Sequence, residues 1–414
     1  MMQRDDIFRS NTAPLLSRRC SGLVVAAILL ALYAAVILGL RIEQPWLLIL
    51  YLATAGLLIF VYQRLTVLPR WISAAFRDNA GLAAVILIVL LFLYPIVLHD
   101  DAYLIHVAAL SAIFAVMALG LNITLGFAGL LDIGFAVYFG VGAYTSAQLA
   151  IHFGISFWLG AVAGGLVAAI FGFLVAWPAL RVQDHYLGLV TLGYGLMMNL
   201  LARNLNFLTN GTDGVIDIPP PAIGSHAFTE PLQILSLSLP FQANFYYLAL
   251  AVVLLTVFIS YRLLDSKLGR AWEAIREDEI AARCSGVNAQ GLKILAFSTG
   301  AFFGGIGGAM YAHMIGFISP DSFGFLESIT ILVMVVIGGA GNILGVVVGA
   351  VALVVLPERL REFEHLRLLI FGLALVLLMI NRPQGIFPRV RTRRGPAGAH
   401  SIPLKPSAER VNLA

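Results

Sequence analysis

Residues 119–146 read LGLNITLGFAGLLDIGFAVYFGVGAYTS, and the fold class turns on this run. Almost every position is apolar or glycine, which suits hydrocarbon, yet Asn122, Thr124 and Asp132 sit inside it. A carboxylate at the centre of a bilayer costs roughly 2.5–3.5 kcal/mol on insertion scales. Asp132 must therefore face a cavity, a polar partner or the cytoplasmic rim of a membrane. Glycines at 120, 126, 129 and 134 weaken any continuous helix through the run. Two readings follow. In one, Asp132 is structural or interfacial, at the cytoplasmic end of two helices. In the other, Asn122, Thr124 and Asp132 mark a broken helix beside a transmembrane pathway, where freed backbone groups can ligate a zwitterion.

Outward from this run, apolar stretches of about 20 residues recur along the whole chain, long enough to cross ~30 Å of hydrocarbon as helices. They fall near 22–40, 46–62, 80–98, 103–120, 135–153, 157–177, 186–202, 243–261, 291–311, 325–337, 343–357 and 367–381. The expectation is an all-α, polytopic integral membrane protein with about 10–12 transmembrane helices, some broken or re-entrant around 120–134 and 338–345. Composition agrees: 60% of the 414 residues are hydrophobic and 12% charged, against about 25% charged in an average soluble domain. An ordinary soluble enzyme is excluded. The net charge of +4 does not point to nucleic acid, because the basic residues flank the apolar spans. With the N-terminus in the cytoplasm, only Arg41, Arg203, Arg359, Arg361 and Arg367 of the 26 basic residues lie outside. Both termini are then cytoplasmic, and the protein is placed in a bacterial inner membrane. The organisation reads as an N-terminal extension of about three spans (1–100), a core (101–390) and a basic tail (391–414).

Two polar insertions stand out. TNGTDGVIDIPPP at 209–221 is dense in turn residues and lies on the outer side by the charge count. Its length favours a docking surface over a plain connection, because a membrane core needs no loop of about forty residues. On the inner side, 262–293 holds Asp265, Glu273, Glu277, Asp278 and Glu279 against Arg262, Lys267, Arg270, Arg276 and Arg283. Ala271, Ile275 and Ala282 share one face at helical spacing with Trp272 beside them, which predicts a short helix along the membrane surface, broken at Gly286. A solvated linker is the bland reading; passing force from a soluble partner into the membrane through Lys293 is the sharper one. Gly300, Gly304 and Gly308 repeat every four residues, as do Gly341, Gly345 and Gly349, and Gly160 with Gly164. This spacing predicts helix-packing faces. His152 and His313 near helix ends read as interfacial. The sequence holds no zinc-peptidase, serine-hydrolase or phosphate-loop pattern, and Cys20 and Cys284 have no metal-ligand spacing. The expectation is no metal, no cofactor and no catalysis on this chain, with any ATP bound elsewhere.

Read together, GLNITLGFAGLLDIGFAVYFGVGAYTS, YLGLVTLGYG, LTNGTDGVIDIP, GRAWEAIREDEIAARCSGVN and LRLLIFGLALVLLMINRPQGIFP resemble, in that order, the LivM-type permeases of branched-chain amino acid ATP-binding cassette transporters. The likeness covers about 100–390. It implies a transport subunit that pairs with a second, LivH-type permease and sits on two cytoplasmic ATP-binding subunits. A periplasmic substrate-binding protein would deliver the amino acid. Carried over by position, the family's cytoplasmic Glu-Ala-Ala type loop falls on Gly269, Arg270, Glu273, Ala274, Arg276, Glu277, Ala281, Ala282 and Gly286, which would dock in an ATPase groove. Two positions depart from the pattern: Asp132 stands where relatives commonly have Ser, and Asn210 where Gly is usual. A urea or short-amide importer shares the same frame. An ion-coupled carrier is the rival from another class, but only Asp132 and Glu327 are suitable intramembrane carboxylates.

Overall fold

A computed structural model describes residues 18–41, 54, 78–181, 184–224, 226–234, 237–359, 372–373, 376, 380 and 385–387, and the statements below concern these. Ten long helices build the bundle: α1 (Arg18–Arg41), α2 (Ala80–Val97), α3 (Ala102–Leu121), α4 (Ala136–Phe153), α5 (Phe157–Ala179), α6 (Asp184–Asn204), α7 (Gln242–Asp265), α10 (Ala289–Ile315), α11 (Phe325–Gly338) and α12 (Ile343–Arg359). Two shorter ones, α8 (Lys267–Glu277) and α9 (Glu279–Cys284), lie between α7 and α10. Seven segments are long and apolar enough to cross a membrane: α1, α2, α3 with the turn that follows it, α5, α7, α10, and Pro320–Gly338, which contains α11. Helices α4 and α6 are not among these seven, and α12 is shorter. The spans expected near 46–62 and 367–381 fall almost wholly outside the described residues, as do both tails.

Contacts sort the connections into two ends. At one, which we call the cap end, Val215 pairs with Ile318 through reciprocal hydrogen bonds of 2.8 and 3.0 Å. Trp158 Nε1 donates to the Ala222 carbonyl there at 3.1 Å, and Leu98, Leu104, Phe228 and Leu239 share an apolar cluster. At the opposite, loop end, Arg276 donates to the Gly126 carbonyl, and Asn342 Nδ2 donates to the Phe387 carbonyl at 3.1 Å. Consecutive helices of the core therefore run antiparallel. Helices α1 and α2 run parallel instead: a Cβ on Gly22 would meet Asn79 and Leu82, while Arg41 donates to the Val97 carbonyl at 3.0 Å. Both are peripheral, with most of their Leu and Val side chains exposed.

Helix α3 is apolar around its whole circumference, the pattern of a helix enclosed on all sides, and nearly all of its second half is buried. Its neighbours approach through glycine. A Cβ on Gly142 of α4 would lie 2.2 Å from the Gly305 carbonyl of α10, and one on Gly305 only 2.7 Å from the Gly164 carbonyl of α5. One on Gly164 would in turn lie 2.7 Å from the Gly142 carbonyl. Gly120 and Gly300 bring α3 and α10 together the same way, at 2.7 and 2.8 Å. Small residues thus set the helix spacing where hydrocarbon offers no apolar driving force. Within the expected stripes, Gly345 and Gly349 pack against Gly338 and Met334 of α11, but Gly341 does not belong to that face. It occupies the turn between α11 and α12 at φ 93°, where its N–H bonds Asn122. Within the 338–345 stretch, residues 339–342 form a turn between two helices.

Replacing Gly305 by Val forces a side chain into occupied backbone, and overpacking of this kind costs about 1–3 kcal/mol or more. The expected outcome is a lower melting temperature of the purified protein in detergent. Gly193→Ala, where nothing lies within 4 Å, leaves it unchanged.

Candidate functional site

The break read at 119–146 is present and buried. Helix α3 passes into a π-helical turn at Asn122–Phe127, closed by the Ala128 N–H on the Ile123 carbonyl at 3.2 Å. The chain then runs without regular structure to α4, with Leu130, Asp132, Gly134 and Phe135 all buried. Irregular backbone at membrane depth is tolerated only where its polar groups are satisfied, and here side chains do so. Thr191 of α6 accepts from the Ile133 N–H at 3.0 Å, Asp132 Oδ1 from the Gly134 N–H at 3.1 Å, and Ser328 of α11 from the Ala136 N–H at 2.8 Å. The last of these satisfies one of the free N–H groups that every helix N-terminus leaves. Asp132, 1% exposed, is thus enclosed in protein rather than set on an exposed rim, and its carboxylate holds the turn before α4. Asn122 and Thr124 are equally buried. Thr124 donates to Leu121 at 2.9 Å, and Asn122 accepts from the Gly341 N–H at 2.8 Å, tying the π turn to the α11–α12 turn.

The loop at 262–293 is two helices, not one. Asp278 adopts extended backbone and its carboxylate accepts from the Ala281 N–H at 3.0 Å, so it ends α8 and caps α9. Gly286, at φ 84°, closes α9 in the left-handed conformation that glycine adopts freely. Trp272 is fully buried and donates its indole N–H to the Leu292 carbonyl at 2.8 Å. Glu279 pairs with Arg283 within α9 and with Lys293 of α10 at 2.6 Å; the Lys293 side chain is only 7% exposed. Arg276 donates to the Gly126 carbonyl in the π turn. The loop is therefore fastened to α10 by Trp272 and Lys293 and to the break by Arg276.

Among the family-matched loop positions, Gly269 and Ala282 pack inward, and a Cβ on Gly269 would collide with the Leu263 and Leu264 carbonyls. Glu273 is half-buried. Arg270, Ala274, Arg276, Glu277, Ala281 and Gly286 are exposed. Beside them stands Ile280, 76% exposed, which sequence reading passed over. Its signal was present: an isoleucine out of phase with the buried Trp272, Ile275 and Ala282.

At the cap end, 205–241 folds into two small antiparallel hairpins, Ala222–Ile223 with His226–Ala227 and Leu232–Ile234 with Leu237–Leu239. Asn210 has φ 59° and its side-chain amide donates to the Gly214 carbonyl at 2.9 Å. The left-handed conformation explains the departure from Gly, since Asn is the other residue that enters it readily. His313 corrects an expectation. It is 2% exposed rather than interfacial, with Nδ1 2.6 Å from the Pro219 carbonyl and Nε2 2.9 Å from Ser146 Oγ. A carbonyl only accepts, so Nδ1 carries the proton and Nε2 takes the Ser146 hydroxyl hydrogen. Phe207, Ile216 and Ile223 are exposed on the same cap.

Between α4, α5, α6 and the Pro320–Phe323 turn lies a cavity of about 440 Å³, lined by Val141, Tyr144, Gln148, Met198, Asn199 and Phe323 among others. A small crevice of about 10 Å³ adjoins it, sharing Ala136, Val137, Gly195 and Phe323 and reaching Ile133 and Gly134. The void thus leads from the cap end toward the residues flanking Asp132, while Asn122, Thr124 and Asp132 do not themselves line the larger cavity.

Truncating Trp272 to Ala removes the buried anchor of the loop and costs about 3–5 kcal/mol by the cavity argument. The expected result is faster limited proteolysis within 262–293 in detergent-purified protein, with fragments cut at the cap end unchanged in rate.

Comparison with known proteins agrees with this architecture. Residues 103–379 match the family described as branched-chain amino acid transport system / permease component. The chain is 38% identical over 338 residues, 78% of its length and 79% of the relative's, to the high-affinity branched-chain amino acid transport system permease protein LivM of Escherichia coli (strain K12). It is 27% identical over 293 residues to LivH of the same strain (68% of this chain, 92% of the relative) and 25% identical over 315 residues to BraD of Pseudomonas aeruginosa (71% and 98%). No solved structure matches the chain. A buried broken helix, a loop tied to it, glycine-spaced spans and the match over 103–379 converge: the chain belongs to the branched-chain amino acid transport permease family, as a LivM-type member.

Proposed function

We propose that this chain is the LivM-type permease subunit of an ATP-binding cassette importer for branched-chain amino acids, forming the translocation pathway with a LivH-type partner. It is a multi-pass inner membrane protein and a transport subunit rather than an enzyme, with ATP hydrolysis on two partner subunits. The loop end faces the cytoplasm together with both termini, and the cap end faces the periplasm, where a substrate-binding protein docks on the surface carrying Phe207, Ile216 and Ile223.

The observation that carries this reading is the attachment of α8 and α9. Ile280, Ala274 and Ala281 leave apolar side chains exposed on α8 and α9, and Arg270 and Glu277 of α8 are exposed as well, a composition that suits protein docking. Trp272, Lys293 and Arg276 link the same loop to α10 and to the break. ATP-driven closure of the ATPases would displace α8 and α9, and with them both elements. Access then alternates between the cap-end cavity and the cytoplasm. A urea or short-amide importer on the same frame is the second reading; an ion-coupled carrier would have no use for a docking loop so fastened to the spans.

The test is a pull-down of the tagged chain from its native membrane in mild detergent, with mass spectrometry. A second permease and two ATP-binding subunits in fixed ratio are expected. Ile280→Asp should lose the ATP-binding subunits while the second permease still copurifies, which shows that the variant is folded. Recovery of the chain alone, or retention of the ATP-binding subunits by Ile280→Asp at wild-type yield, contradicts the proposal. Uptake of leucine against urea by vesicles containing the purified complex separates the two substrate classes.

A further inference from the structure

Tyr144 is a buried phenol with an unused hydroxyl. It lies on α4, is 9% exposed, lines the cavity of about 440 Å³, and its oxygen has no hydrogen-bond partner among the described residues. A phenol so enclosed ordinarily bonds something. Its ring stands edge-on against Phe323, centroids 5.6 Å apart.

The rest of the cavity divides by chemistry. Its wall is apolar and includes Val141, Met198 and Leu208, whereas Asn199 sits at its cap-end rim. Asn199 Nδ2 donates to the Pro320 carbonyl at 2.6 Å and Asn199 Oδ1 accepts from Arg203 Nε at 3.0 Å. Arg203 pairs in turn with Asp321, the residue after Pro320, and both charges are largely open to solvent. One rim therefore presents a cation and an anion side by side above an apolar chamber. Exposed ion pairs of this kind are weak, so exchanging partners with an incoming zwitterion is cheap.

We propose that this cavity is the membrane-side binding site for the transported amino acid. The apolar side chain fills the chamber against Val141 and Met198, the Tyr144 hydroxyl donates to the α-carboxylate beside Arg203, and Asp321 takes the α-ammonium. The chemical class is a neutral amino acid with a branched aliphatic side chain, and the assignment rests on the importer reading above. The crevice toward Ile133 and Gly134 is then the closed exit. It is narrow because Gly195 of α6 and Gly134 meet almost backbone to backbone, a Cβ on Gly195 lying 3.3 Å from the Gly134 Cα.

The test uses the complete transporter in vesicles, supplied with its loaded binding protein at saturation. Leucine and valine import and ATP hydrolysis are measured together. Tyr144→Phe, which removes one oxygen, should lower leucine moved per ATP about tenfold while binding-protein-stimulated hydrolysis stays within twofold. Val141→Phe, which shortens the chamber, should cut leucine import at least fivefold more than valine import. Copurification of all subunits shows that each variant is assembled. A leucine-to-ATP ratio within twofold of wild type in Tyr144→Phe, or equal loss of leucine and valine in Val141→Phe, overturns the site. If the wild-type complex imports urea and no leucine, the amino acid substrate class of the reading above fails instead, and the site falls with it.

Discussion

Backbone contact among three helices at Gly142, Gly164 and Gly305 sets the geometry on which the rest of the molecule depends. In hydrocarbon, Leu on a helix surface gains nothing by leaving lipid for protein, so spans associate through close packing and satisfied polar groups. With carbonyls filling the places where side chains would stand, α4, α5 and α10 become one block. The Gly120–Gly300 approach adds α3 to it. Everything functional hangs from this block: the break between α3 and α4 at one end, Tyr144 on the flank of α4, and the loop helices at the base of α10.

Helix α6 is held differently. It is attached through polar contacts, the Ile133 N–H donating to Thr191, Asn199 donating to the Pro320 carbonyl and Arg203 pairing with Asp321, and through Gly188 and Gly195, which lie close to Leu131 and Gly134, while Leu189, Leu196 and Leu200 are exposed. It forms one wall of the cavity and of the crevice beneath it. A tightly keyed block beside a lightly attached wall is an arrangement in which a small push opens a path. The push has a defined entry, because Trp272, Lys293 and Arg276 join the loop to the block and to the break rather than to α6.

Hydropathy and glycine spacing made most of the spans and two of the packing stripes legible, since each depends on residues four apart or on runs of about 20, which are local properties. The loop helix was legible in the same way up to Ile275. Beyond it, Asp278 was read as one charge among several, because its role as a cap appears only once the chain turns there. Gly341 matched the stripe by number, yet the turn geometry and the Asn122 contact, 219 residues away in sequence, decide its place. His313 was misread for a similar reason: Ser146 and Pro219 come from a distant helix and from the cap. The cavity had no sequence signal at all, being the space between four elements. Asp132 drew attention as a carboxylate in apolar sequence, and the structure gives it a backbone partner two residues away.

In the proposed transport cycle the loop and the glycine-keyed block move together against α6. Spin labels at Ala281 on the loop, at Ile315 at the far end of α10 and at Leu200 on α6, all exposed positions, allow pairwise distances to be followed by pulsed electron resonance in the nucleotide-free and ATP-trapped complex. The account predicts a 281–315 distance that stays the same in both states and a 281–200 distance that shifts by several ångströms. A changed 281–315 distance with 281–200 constant would contradict it, because the loop would then be coupled to α6 and not to the block.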